Sequence, residues 1–165
     1  MSVGRIVLGR GSAWHDFHRV EREGPYELAV RELVAAQQRA RVSIEDDLLH
    51  TWRSELSAIP CVWPTREIQR GIAWTGWSVI RGEGARVAHD VFTSLARRYR
   101  DDDGPPVLVL RLGEDAWIDD AGREHSLGEQ VERVARADSI AAFERLAEDC
   151  LWAIRAPGYV LHLVL

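Results

Sequence analysis

The chain contains no lysine, and all 21 of its basic residues are arginine. No lysine Schiff base can form, which excludes lysine-tethered pyridoxal phosphate enzymes and lysine-dependent aldolases. The P-loop lysine of a standard nucleotidase is missing as well. Cysteine is nearly absent: Cys61 and Cys150 are the only two. Their wide separation implies no disulfide framework, and both are expected to be buried small hydrophobes in a reducing compartment. No apolar run is long enough to form a membrane-spanning helix. The stretch Met1 to Arg10 lacks signal-peptide architecture, so a cytoplasmic location is expected. Positive charge is in deficit: 26 acidic residues against 21 arginines give a net charge of −5. That balance argues against direct nucleic-acid binding and suits a basic protein partner.

What remains is ordinary globular material, with 46% apolar and 28% charged residues. Over 165 residues such a chain can bury a full core as one domain, 1–165. Helical and strand patterns alternate, which predicts an α/β fold, with α+β as the variant. The expected architecture is a mixed central sheet of about four to five strands covered by about five helices. Strands are expected over 3–8, 72–80, 107–112 and 159–164. The two faces of the last are both apolar, so it should be central. Helices are expected over 13–22, 25–41, 44–58, 85–100 and 139–156. Another of about ten residues should follow the capping-box pair Ser126 and Glu129, with Leu127, Val131 and Val134 inward. A small hairpin turn is expected at Asp119 to Gly122.

Several patterns carry possible chemistry. The sequence Ile6-Val7-Leu8-Gly9-Arg10-Gly11 lacks the third glycine of a dinucleotide fingerprint and reads as a turn. On a helix, His15, His18 and Glu21 would share one side and could hold a divalent metal or supply a base for a metal-assisted hydrolase. His162, inside an apolar strand, reads as a core histidine with a satisfied hydrogen bond. Gly76-Trp77-Ser78 lacks the closing glycine of a nucleophile elbow. Cys61 has no cationic neighbour to activate it.

The stretch Arg81-Gly82-Glu83-Gly84-Ala85 lies between a predicted strand and a strong helix, where backbone N–H groups could hold phosphate. It resembles the pyrophosphate loop of the GNAT acetyltransferases. The resemblance implies an acyl-CoA-dependent transferase with Arg81, Gly82, Gly84 and Ala85 at the phosphate. Arg86 stands where that pattern has Gly or Ala, and residues 60–81 are too few for the family's three-stranded meander. His50 with His89-Asp90 is similar to the HD phosphohydrolases, an all-helical family that the expected strands exclude.

Two further features point to protein binding. Seven tryptophans are many for this length. Of these, Trp74 and Trp77 cluster in an irregular segment, and exposed tryptophan marks binding surfaces. Acidic residues come in dense runs: Glu45-Asp46-Asp47, Asp101-Asp102-Asp103, Glu114-Asp115 and Asp119-Asp120. A helix followed by a short aliphatic C-terminal strand is loosely similar to the ending of the acidic immunity proteins of the barstar type. The favoured expectation is therefore a non-enzymatic, cofactor-free protein-binding domain of the immunity or antitoxin kind. It would use Glu45, Asp46, Asp47, Asp101, Asp102, Asp103, Trp74 and Trp77 against a basic toxin or nuclease. The acyltransferase and the metal-assisted hydrolase are the enzymatic alternatives.

Overall fold

The computed structural model describes residues 4–165, apart from the side chains of residues 113–115, 127 and 129. The expected strand start at residue 3, the acidic pair Glu114-Asp115 and the side chains of Leu127 and Glu129 lie outside the described residues. The chain is a mixed α/β protein. Strands β1 (Ile6–Leu8), β2 (Trp14–Val20), β3 (Val42–Glu45), β4 (Pro60–Val62), β5 (Ile68–Arg70), β6 (Trp77–Ile80) and β9 (Tyr159–Val164) form one seven-stranded sheet. Its order is β1-β3-β2-β9-β6-β4-β5, and all neighbours are antiparallel except β1 with β3. The sheet is larger than expected because β3, β4 and β5 are too short to carry much sequence signal and because β2 replaces an expected helix. β7 (Val107–Ile118) and β8 (Glu124–Ala135) form a separate two-stranded ribbon.

Helices α4 (Glu83–Asp101) and α5 (Arg136–Arg155) cover one face of the large sheet. Both have the stripe that the sequence shows, and Ala88, Phe92 and Leu95 pack with Phe143, Leu146 and Cys150 in the main core. Trp52 joins them edge-on to Phe143 at 4.9 Å, and its indole N–H donates to the Tyr99 hydroxyl at 2.8 Å. The opposite face carries a second core, where Tyr26, Val30 and Leu33 of α1 (Tyr26–Ala35) pack on Val20, Val79, Tyr159 and Leu161. Both faces of β9 are therefore buried, as its apolar pattern requires.

Four expectations need correction. Residues 14–20 are strand β2, not a helix: β2 pairs with β3 on one side and β9 on the other, and burial on both faces erases the alternation that marks a strand. Residues 124–135 are strand β8, not a helix after Ser126. There Val134 packs inward and Val131 faces out, as strand geometry demands of an odd spacing. The helix expected over 44–58 starts late, because Ile44 and Glu45 lie in β3 and Glu45 caps α2 (Asp46–Leu49) by accepting from the Leu48 N–H at 3.0 Å. A 3₁₀ turn (His50–Trp52) and α3 (Arg53–Leu56) complete this broken helical stretch. Finally, 107–112 belongs to the ribbon and not to the central sheet, with Leu108 buried while Val107 and Val109 point outward.

The remaining expected elements are present with shifted bounds. α1 stops at Ala35, where Gln37 turns the chain with a φ of 48°. β6 begins only at Trp77, after Gly76 with a φ of 79°.

Gly84 is where the core tolerates least. A Cβ there would lie 2.2 Å from the Pro60 carbonyl oxygen, which belongs to the backbone of β4. Gly84→Ala should destabilise the protein by about 2 kcal/mol, lowering the melting temperature by several degrees. The better helix propensity of alanine, worth about 1 kcal/mol, would not offset the overlap. A thermal melt at or above the wild-type midpoint would refute this packing.

Candidate functional site

The fold gathers polar side chains that are far apart in sequence. Phe17, His162 and Ser78 sit side by side in β2, β9 and β6, so their side chains emerge on the same face. The Ser78 hydroxyl lies 2.7 Å from His162 Nδ1, His162 Nε2 lies 2.7 Å from His15 Nδ1, and His15 Nε2 lies 2.7 Å from an Asp46 carboxylate oxygen. Ser78, His162 and His15 are completely buried, and only Asp46 reaches solvent. Trp74 meets His15 edge-on at 5.1 Å and stacks on His50 at 4.0 Å, covering this end of the chain.

One proton arrangement satisfies every member. Asp46, as a carboxylate, only accepts, so His15 Nε2–H donates to it. His15 Nδ1 then accepts from His162 Nε2–H, and His162 Nδ1 accepts from the Ser78 hydroxyl. The backbone N–H of Ala73 donates to the Ser78 oxygen at 3.1 Å and closes the far end. Both imidazoles are neutral in this arrangement. Burial lowers the pKa of His162 well below its ordinary value, with His15 adding to the effect. Burial also lowers that of His15, against the opposing pull of Asp46. The order of groups is that of a serine–histidine–acid relay with an extra histidine. Ser78, however, has no exposed surface for a substrate to reach. The chain locks β6, β9, β2 and α2 to one another.

The residues singled out by sequence scatter. His15 and His18 project to opposite faces of β2, and Glu21 follows the strand, so the three do not converge. Among the described residues no group of three or more metal-capable side chains comes together. Gly84 packs against Pro60, Ala85 is fully buried, and Arg81 donates to the Tyr26 hydroxyl at 2.8 Å. Gly82, with a φ of 54°, precedes the first turn of α4. Glu45 is buried as a helix cap, Asp46 is held by His15, and Asp47 is exposed. Asp102 pairs with Arg136 at 3.3 Å, while Asp101 and Asp103 are exposed without partners among the described residues. Trp77 is in the second core and Trp74 is half-buried. Both cysteines are free thiols, and burial pushes Cys61 up to about 12 and raises Cys150 too, so neither offers a thiolate.

The exposed tryptophan is Trp117, half accessible near the end of the ribbon and stacked on His125 at 4.3 Å. Asp119 shapes the turn beyond it, accepting from the N–H groups of Ala121 and Arg123 and pairing with His125 at 2.8 Å. Comparison with protein-family models, with curated proteins and with solved structures finds no match to the chain.

The buried histidines make a prediction about pH. His15, His18 and His162 all have folded pKa values below the ordinary 6.5. Below that value the unfolded chain binds more protons than the folded one. Their contribution is therefore fully present above about pH 7 and is lost as pH falls from 6.5 towards the folded values. Urea unfolding between pH 7.5 and 5 should show stability falling by up to about 1.4 kcal/mol per pH unit per histidine. A flat profile would contradict the neutral histidine chain.

Proposed function

We propose that this is a non-enzymatic protein-binding domain of the inhibitor or immunity kind, whose contact element is the β7–β8 ribbon. The observation that carries this is the distribution of charge. Residues 101–135 contain ten acidic residues and three arginines, a net of −7. The whole chain has −5, so the remainder is at +2. The negative character noted in the sequence belongs almost wholly to the ribbon and the Asp101 to Asp103 run at its root.

Shape and apolar surface coincide with that charge. The inner side of the ribbon, Leu108 and Val134, is anchored in the body. Its outer side presents Val107, Val109 and Val131, and Trp117 and Ile118 stand near the turn. Interfaces combine an aromatic or aliphatic centre with a charged rim, and clustered acid draws a basic partner in. The partner that fits is a protein with a basic surface around an apolar depression, as in the active site of a nuclease toxin. Two enzymatic readings receive less support: Gly84 and Ala85 are packed into the protein and Arg81 is bonded to the Tyr26 hydroxyl, and His15 is separated from His18 by the sheet.

Charge and apolar contact should separate kinetically. Neutralising Asp101, Asp103, Asp120 and Glu124 to their amides should slow association with a captured partner at low salt and flatten its salt dependence. Dissociation and folding should change little, because exposed unpaired charges contribute little to stability. Trp117→Ala should instead speed dissociation by about tenfold or more. The reading fails if the captured partner binds through an acidic surface, or if both variants bind with wild-type rates.

A further inference from the structure

We propose that the groove between helix α1 and the sheet face beneath it binds an organic acid with an apolar body. This site is on the opposite side of the sheet from the ribbon root, and the proposal does not depend on the protein-binding reading.

The groove follows from how α1 ends. The helix stops at Ala35 and the chain turns at Gln37, so no helical turn beyond Ala35 roofs the sheet. Two cavities remain, of about 710 and 390 Å³, and they share His18, Leu33, Gln38 and Arg39 in their walls. Cavities of this size hold small organic ligands.

His18 supplies the polar anchor. It is 3% exposed, yet it makes no hydrogen bond among the described residues. Buried polar groups are ordinarily paired. Among the described residues, the side-chain nitrogens and oxygens that are both sealed from solvent and unpaired are Arg19 Nε and Thr51 Oγ1. The His18 nitrogens are not among them, so they open into the cavity that the ring lines. Burial lowers the His18 pKa, with Asp16 opposing and Arg5 assisting, so the ring is a neutral donor and acceptor near pH 7.

The cation is Arg39. Its neighbours in the wall are engaged: Arg22 pairs with Glu32, Arg19 and Arg41 share the buried Asp149, and Arg5 is bonded to Ser43 and paired with Asp16. Arg39 is exposed and has no partner among the described residues. A guanidinium and a neutral imidazole N–H lining the same cavities suit a carboxylate, which can accept two parallel bonds from arginine and a third from the ring. A single unpaired cation among the described wall residues favours a monoanion over a phosphate dianion. Leu33 and Leu163 supply apolar wall, and Val34 and Leu165, 53% and 60% exposed, are apolar surface that a ligand body would cover.

The test uses the full chain with octanoate as probe, octanol as the same body without charge, and inorganic phosphate as charge without a body. Calorimetry should show octanoate binding at least about tenfold tighter than either control, a difference of about 1.4 kcal/mol. Amide NMR shifts should concentrate in residues 33–40 and 161–165. Arg39→Gln, at an exposed position that folding does not need, should weaken octanoate at least about tenfold. His18→Phe should do the same if it folds, and the Arg39 variant decides the matter if it does not. Absence of shifts at about 10 mM octanoate, shifts confined to the ribbon, equal binding of octanol, or wild-type affinity in Arg39→Gln would each overturn the site.

Discussion

The structure turns on a histidine placed in the middle of a strand that has no exposed face. β9 is flanked by β2 and β6, with helices α4 and α5 above it and α1 below. An imidazole at His162 cannot reach water, so both of its nitrogens must find partners inside the protein. Ser78 and His15 provide them, and His15 in turn requires Asp46. That requirement fixes the register of three strands and the position of α2 at once. A slip of one residue in β2 or β6 would leave a buried nitrogen unpaired and move each apolar set to the wrong face. The chain of bonds selects one arrangement among many of similar apolar content.

A second buried polar group acts in the same way at the opposite end of β2. Asp149 of α5 is 1% exposed and is held by Arg19 at 2.7 Å and Arg41 at 2.9 Å. Removing one partner would strand a charge in the core, so the pairing contributes more to uniqueness than to net stability. Arg19 also lies 4.6 Å over the Trp152 ring, which ties the strand to the end of α5. Both ends of β2 are thereby bonded to the main core through buried polar groups. The protein's surface chemistry is concentrated elsewhere.

That separation gives the functional reading its form. The body has a small positive charge, while the ribbon and its root carry the acid and half-exposed apolar side chains. A two-stranded ribbon is marginal alone, and Leu108 and Val134 in the core hold its root in place. The groove under α1 is a different consequence of the same architecture. A ten-residue helix is too short to seal the sheet face it covers.

Composition and periodicity alone determined the mixed α/β class, the two long helices, the central place of β9 and the inert cysteines. Each of these depends on the burial of one apolar stripe or on a residue that is simply missing, as lysine is. They also indicated that acid and tryptophan clustered, and that His162 would be bonded. Which acids and which tryptophan are free was decided by tertiary structure. Glu45 and Asp46 look like a surface run until a helix cap and a buried histidine claim them, and Trp117 is outside because the ribbon's end, where Ile118 is exposed as well, extends beyond the core. Residues 14–20 and 124–135 carry helical spacing and capping residues, yet cross-strand pairing over seven and twelve residues outweighs those local preferences. The relay itself was illegible, because Ser78, His162, His15 and Asp46 are adjacent only through sheet register, which no local pattern encodes.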